Sequence, residues 1–314
     1  MDELIRRVDR TLAESAGRFP VTADPETGQW TWSNDGAWCG GFWVGLLELA
    51  ARASGSRRFS QAADDFAARL APRVTSPTVL RGFLFWYGAA MARRPDTARE
   101  AAALLAADFD PDLGVVPPGP EDVTLYAWPR PGACIDAVPG TVELLRFGGY
   151  AELGEAHARN TYRLCARPDG GLLQCANVDG AFSENGASPT SIWSRGHAWG
   201  MLGLVQAGAT ELAVSAADWW LANVPPDRVA HWDFSATDVR DTSATAIAAA
   251  AMARLGGPYR DAARATVDAL MSSHRNAEGV LVDGCTTLKN KQKIFRHELI
   301  WGDYFLLETL LELG

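Results

Sequence analysis

The chain lacks the marks of several large function classes. No apolar run approaches the roughly 20 residues that a membrane-spanning helix needs. The opening Met1-Asp2-Glu3-Leu4-Ile5-Arg6-Arg7 has no apolar stretch of the kind a secretory leader carries. A cytoplasmic protein with no membrane partner is expected. Cysteine is scarce and scattered: Cys39, Cys134, Cys165, Cys175 and Cys285 are odd in number and form no C-x-x-C pair. That pattern predicts reduced thiols, not a disulfide frame or a zinc site. Cations are outnumbered, with 29 Lys and Arg against 38 Asp and Glu and a net charge of −9. A nucleic-acid groove needs clustered Lys and Arg, so no nucleic-acid partner is expected. The five histidines (His157, His197, His231, His274, His297) have no metal-ligand spacing, and His157 reads as a surface residue of an outer helix. No glycine-rich phosphate loop follows a strand. Neither a metal nor a cofactor is expected. Strand signal is also sparse, confined to short pieces at 171–173 and 279–282, each beside an Asp-Gly or Glu-Gly turn.

What the chain has in plenty is apolar mass and tryptophan. At 47% hydrophobic and 21% charged over 314 residues, it can bury a large core. Apolar periodicity and breakers predict about twelve helices, at 2–16, 41–53, 58–71, 81–93, 97–107, 139–147, 150–165, 195–207, 211–223, 243–255, 259–273 and 299–313. Short links at 54–56, 94–96, 148–149, 208–210 and 256–258 alternate with long ones at about 18–40, 72–80, 108–138, 166–194, 224–242 and 274–298. Antiparallel helix pairs joined in this way put every short link at one end and every long link at the other. Six such pairs with no sheet to cover close most simply into an all-α (α/α)6 barrel, a single domain over 1–314. An open solenoid of the same pairs is the alternative, and no solenoid repeat motif is visible.

In a closed ring the long links feed the N-termini of the inner helices, whose free N–H groups favour an anion. The unusual residues sit at those junctions: Trp38 and Trp43, Arg81, Asp136, Trp193 with Arg195 and His197, Trp232 with Asp241, and Trp301 with Asp303. The densest stretch runs from Ser191 to Gly200. There Arg195 and Trp199 lie four residues apart on one helical face, with Gly196 and Gly200 beside them. Such a face suits an anionic ring held by stacking and a guanidinium fork. The alternative is a Trp-rich core helix whose Arg pairs with a carboxylate. Rings, cations and a few carboxylates around one opening describe a site for a small anionic, sugar-like substrate in a monomer or homodimer. The basic run Lys289-Asn290-Lys291-Gln292-Lys293 reads as a solvated loop, with a rim that attracts an anion as the alternative.

Four segments carry a resemblance. Trp38-Cys39-Gly40-Gly41-Phe42-Trp43-Val44-Gly45, Ser191-Ile192-Trp193-Ser194-Arg195-Gly196-His197-Ala198-Trp199-Gly200, His231-Trp232-Asp233-Phe234 followed by Asp241-Thr242-Ser243-Ala244-Thr245-Ala246, and Leu299-Ile300-Trp301-Gly302-Asp303-Tyr304-Phe305 occur in order from 38 to 305. Together they resemble the unsaturated glucuronyl hydrolases of glycoside hydrolase family 88, with the unsaturated rhamnogalacturonyl hydrolases more distant. The resemblance implies an (α/α)6 barrel and an unusual hydrolysis. The substrate carries a C4=C5 double bond in a terminal uronate; an Asp protonates C4, water adds at C5, and the hemiketal opens to release the neighbouring sugar. The segment Cys134-Ile135-Asp136-Ala137-Val138-Pro139 makes Asp136 that general acid and base, with a helix cap as its alternative role. Burial would raise its pKa and a helix N-terminus would lower it. His197 and Glu184 are candidate catalytic partners. Trp38, Trp43, Arg81, Asn185, Trp193, Arg195, Trp199 and Trp301 are candidate substrate contacts.

The departures from the family pattern cluster at the same place. Leu80, in Val79-Leu80-Arg81-Gly82-Phe83, stands where the family has a second Asp, and Gln174 stands where it has a His. His197 replaces a Gln, while Glu184 and Asn185 align with a His-Gln pair. Arg81, if near, would hold Asp136 ionised. These changes leave three outcomes open: uronide hydration on a changed substrate, another acid–base reaction (isomerisation, elimination or cyclisation) in small-molecule biosynthesis, or non-catalytic sugar binding. Asp241 and Asp303 match family positions, and each suits a helix cap or an ion pair with an inner Arg equally well.

Overall fold

The computed structural model describes residues 1–287 and 293–314. Its α-helices are α1 (Asp2–Glu14), α2 (Gly40–Ser54), α3 (Arg57–Leu70), α4 (Pro95–Ala107), α5 (Pro120–Tyr126), α6 (Val138–Phe147), α7 (Ala151–Cys165), α8 (Ser194–Gln206), α9 (Thr210–Asn223), α10 (Thr242–Leu255), α11 (Pro258–Ser273) and α12 (Ile300–Leu313). A π-helix, Gly82–Ala90, stands between α3 and α4 where the sequence predicts an α-helix over 81–93. Bonds such as Arg94 N–H to Ala89 C=O, at 2.8 Å, skip five residues. That wider coil seats five consecutive large side chains, Phe83 to Tyr87.

Six helices are buried almost all round. In α10, every residue from Thr242 to Ala253 is buried, as expected of a helix that is apolar or small on every face. The buried helices touch in cyclic order: α2 packs on the π-helix, then α6, α8, α10 and α12 follow, and α12 returns to α2. The partners outside them, α3, α4, α7, α9 and α11, bury one stripe each. Glycines permit the close approach. A Cβ on Gly41 would meet the Phe83 carbonyl oxygen at 2.0 Å, and backbone cannot swing away. Gly41→Ala should therefore lower stability by about 1–3 kcal/mol, read as a fall in the thermal midpoint.

The long links carry two small sheets. One has the order β2-β1-β7-β6, from β1 (Phe19–Ala23), β2 (Trp30–Ser33), β6 (Gly284–Thr287) and β7 (Lys293–Leu299). The other is β3-β4-β5, from β3 (Ala133–Cys134), β4 (Cys175–Asn177) and β5 (Gly180–Phe182). The strands expected at 171–173 and 279–282 reduce to single bridges, Ala166 to Leu172 and Arg275 to Leu281. Three pairings, β1 with β2, β4 with β5 and β6 with β7, lie within one link, and two, β1 with β7 and β3 with β4, join distant links, which local alternation cannot report. No helix among the described residues is long and apolar enough to cross a membrane.

Candidate active site

Asp136 lies on a short 3-10 turn, Ile135–Ala137, between β3 and α6. The chain then turns through Gly140, whose φ of 75° suits glycine, before α6 proper begins. This elbow leaves Asp136 buried at 6% exposure. Its Oδ2 accepts the Gln174 side-chain N–H at 2.9 Å, while its Oδ1 is buried without a partner. Oδ1 faces the first turn of α8, where a Cβ on Gly196 would stand 3.8 Å from it. Burial raises the Asp136 pKa to about 7, against the Gln174 hydrogen bond and the Arg195 charge, which lower it. Of the two opposed effects expected from sequence, burial wins. A carboxyl poised near neutrality, with a free oxygen, suits proton transfer in both directions.

Arg195 is the fixed charge of this site. Its guanidinium lies 4.7 Å from the Trp193 ring and 5.3 Å from the Trp301 ring. Trp38 continues the row, 4.6 Å from Trp301, and is half-buried. The Trp301 indole N–H is buried without an acceptor, a second orphan polar atom bordering Arg195. The fork expected to grip an anionic ring is, however, engaged by the protein. Nη1 donates to Asp241 at 2.6 Å, the Cys285 carbonyl at 2.6 Å and Ser243 at 3.1 Å, and Nη2 donates to Thr286 at 3.3 Å. Arg195 therefore contributes field more than a free fork. Asp241 takes both roles left open for it, since its other oxygen caps α10 through the Ser243 and Ala244 N–H groups. Asp303 takes neither. It lies against Glu298, and burial and that neighbour push its pKa well up, while Glu298 holds Arg7.

Four expected site residues lie elsewhere. Arg81 donates to Asp108 at 2.6 Å and to the Val74 carbonyl, so it exerts no hold on Asp136. Trp43 is fully buried on the outward side of α2, with its ring against Phe66 of α3. Trp199 is packed inside the ring of helices between Phe83, at 4.8 Å, and Phe305, at 5.5 Å. His197 is not a proton shuttle. Its Nδ1 accepts the Leu172 N–H at 3.2 Å and its Nε2 meets the Ala216 carbonyl at 2.9 Å. Burial lowers its pKa to about 4, so the ring is neutral near pH 7. In each case the side chain found a partner within the fold. His197→Ala should lower stability by about 1–3 kcal/mol through two stranded backbone groups, with the pH–rate profile above pH 5 unmoved. His157, expected at the surface, is fully buried and accepts the Val116 N–H at 3.1 Å.

Glu184 and Asn185 are half-buried beside β5. The Asn185 N–H donates to Gln174 Oε1 at 2.8 Å, and its carbonyl accepts from Lys293 at 3.0 Å. The Lys293 ammonium also lies 3.1 Å from the Trp232 ring centroid. The remainder of the basic run, 289–292, is outside the described residues. An open cavity of about 460 Å³ lies at the short-link end, lined by Glu48, Arg52, Arg57 and Arg93, and shares no residue with the Asp136 cluster. Among the described residues no three His, Cys, Asp or Glu side chains are placed to hold a metal.

No family model matches the chain. An unsaturated glucuronyl hydrolase of Bacillus sp. (strain GL1) is 28% identical, over 97% of this chain and 93% of its own. An unsaturated chondroitin disaccharide hydrolase of Streptococcus pneumoniae (strain ATCC BAA-255 / R6) is 25% identical, over 99% and 90%. The solved structure of the unsaturated glucuronyl hydrolase from Bacillus sp. GL1, responsible for the degradation of glycosaminoglycan, superimposes with a TM-score of 0.86 at 26% identity, covering 100% of this chain and 95% of that one. Over its full length the chain is similar to unsaturated glucuronyl hydrolases, as a divergent relative.

Beside that similarity, the surroundings of Asp136 are unusual. Leu80 is buried ahead of the π-helix, and the groups that shift Asp136 include no second carboxylate. Two features of the site were passed over in the sequence. Gln174 was visible as a replaced family His but not as the partner of Asp136. Lys293 was legible as charge, while its seat depends on β7 meeting the two links that hold Trp232 and Asn185.

Proposed function

We propose that this protein hydrates the C4=C5 double bond of a terminal unsaturated uronate, as a single-domain (α/α)6 barrel whose inner ring is the cycle of six buried helices. The observation that carries the reading is the unpartnered Oδ1 of Asp136, buried on a carboxyl whose pKa lies near 7. Asp136 in its acid form delivers a proton to C4. Positive charge develops at C5 and the ring oxygen, and the ionised carboxylate then takes a proton from the water that adds to C5. The hemiketal formed there opens and frees the neighbouring sugar. One carboxyl serves both steps because it returns to its starting state. Trp38, half-buried at the head of the row, offers its ring face to the sugar with the buried Trp193 and Trp301 behind it, and Arg195 supplies a positive field toward the uronate. The full-length match to relatives named for unsaturated glucuronyl and chondroitin disaccharide hydrolysis supports this substrate class.

The test is turnover of a panel of unsaturated uronyl disaccharides, followed as loss of the enol-ether absorbance. No loss across the panel would end the reading. A second reading has its own observation, Leu80 where the family carries a carboxylate. It assigns the same acid–base centre to an isomerisation, elimination or cyclisation of another small anionic metabolite. Leu80→Asp separates the two: a gain of uronide hydration in an otherwise silent protein favours the second.

A further inference from the structure

The link between Gln174 and Asp136 constrains the proton more tightly than burial does. Gln174 stands immediately before β4, and its backbone carbonyl accepts the Ile135 N–H at 2.8 Å, one residue from Asp136. Its side-chain amide bridges two groups: Oε1 accepts the Asn185 backbone N–H at 2.8 Å, and Nε2 donates to Asp136 Oδ2 at 2.9 Å. A backbone N–H can only donate, so the orientation of the amide is settled by Asn185. Nε2 must then face Asp136, and Oδ2 must be an acceptor. The other oxygen, Oδ1, is buried without a partner and lies near Gly196, where a Cβ would stand 3.8 Å from it and 2.9 Å from the Trp193 ring.

We propose that Gln174 is a positioning residue that decides which oxygen of Asp136 carries the proton: with Oδ2 held as an acceptor, the acidic hydrogen is presented on Oδ1, toward the first turn of α8. This rests on the reading of Asp136 as the general acid and adds the atom that delivers the proton. It also gives the Gln at this position a task that an aliphatic residue could not perform. Donation to Oδ2 favours the ionised form, which limits how far burial raises the group, and Arg195 on α8 acts in the same direction. Among the described residues, titratable groups near Asp136 include the thiols of Cys134 on β3, Cys165 on α7 and Cys175 on β4, all pushed upward by burial, with Glu184 acting on Cys175 in turn.

The experiment uses the full chain and two near-isosteric variants, Gln174→Met and Gln174→Glu, each checked for fold by near-ultraviolet circular dichroism. The protonated carboxyl band of Asp136 is read by infrared difference against Asp136→Asn across pH 5–9, with kcat and KM on unsaturated disaccharides in parallel. In Gln174→Met the band should persist to a pH about one unit higher, the size of one lost charge-assisted hydrogen bond. The alkaline limb of kcat should move with it. In Gln174→Glu the Asn185 contact survives, but the proton is shared between two carboxyls on the Oδ2 side. There the band should shift and broaden, and kcat should fall about 100-fold with KM within about threefold. A merely structural Gln174 predicts an unmoved infrared midpoint in both folded variants, and that result overturns the proposal. If one variant fails to fold, the other decides by the same midpoint. A moved midpoint in a protein that turns over no uronide supports the role of Gln174 and overturns the functional reading instead.

Discussion

Replacing Asp136 by Asn should lower uronide hydration by about 10²–10⁴-fold while leaving the fold intact. Asn keeps the shape and still accepts the Gln174 N–H, but it has no proton to give to C4 and cannot take one from water. KM should change far less than kcat, because Trp38, Trp193, Trp301 and Arg195 remain where they are. The wild-type rate should fall as pH rises through about 7, since the acid form is the one that protonates the alkene. The same substitution should alter stability in the opposite sense. The folded pKa of about 7 lies above the ordinary 3.8. The folded chain therefore holds the proton more tightly than the unfolded chain does. Stability attributable to this group is complete below about pH 4 and is lost as pH rises toward 7. Asp136→Asn has no such loss, so at pH 8 the variant should melt higher than the wild type by up to a few kcal/mol, converging with it near pH 4. A variant equally stable at both pH values, with unchanged turnover, would show that Asp136 is neither buried as described nor catalytic.

Asp241→Ala should be the most damaging single change to stability, at about 3–5 kcal/mol. The substitution removes two supports at once. The cap of α10 disappears, freeing the N–H groups of Ser243 and Ala244. The Arg195 guanidinium, 4% exposed, loses its counter-charge at 2.6 Å and is left as a buried cation with neutral acceptors. Breaking such a pair costs far more than the net worth of the pair, because the remaining charge is unsolvated. Replacing both partners, as in Arg195→Met with Asp241→Leu, should recover part of the loss in a denaturant melt while abolishing activity. If Asp241→Ala melts within about 1 kcal/mol of the wild type, Arg195 is solvated in solution and its inferred field at the site is weak. The observation that Nη1 serves Asp241, Ser243 and the Cys285 carbonyl together makes that outcome a sharp one.

The helices were legible in the chain because each inner one is apolar or small throughout, as in Ala244 to Ala253, and each outer one carries a single apolar stripe. Their alternation with short and long links fits the cyclic order in which the inner helices pack. The residue types of the site were legible too: Trp38, Asp136, Trp193, Arg195 and Trp301 do gather near one another. Which side chains face that gathering was not. Helical spacing puts Arg195 and Trp199 on one face, yet Trp199 points into the aromatic interior and His197 points to α9. Arg81 and Trp43 sit at the right junctions and turn outward, because Asp108 and Phe66 lie there to receive them.

The sequence by itself determined the largely helical class of fold and the pairing of its helices, since both follow from local periodicity and link length, and it named Asp136 as the candidate acid through a resemblance in its motif. The tertiary structure decided the upward push of burial on the Asp136 carboxyl, the oxygen left free on it, and the commitment of Arg195 to Asp241. Each of those depends on how much water is excluded and on which groups distant in sequence come within about 3 Å. Gln174 is 38 residues from Asp136, and Asp241 is 46 residues from Arg195. Desolvation and hydrogen bonding fall off within one atomic layer, and no pattern along a chain records which residues share that layer.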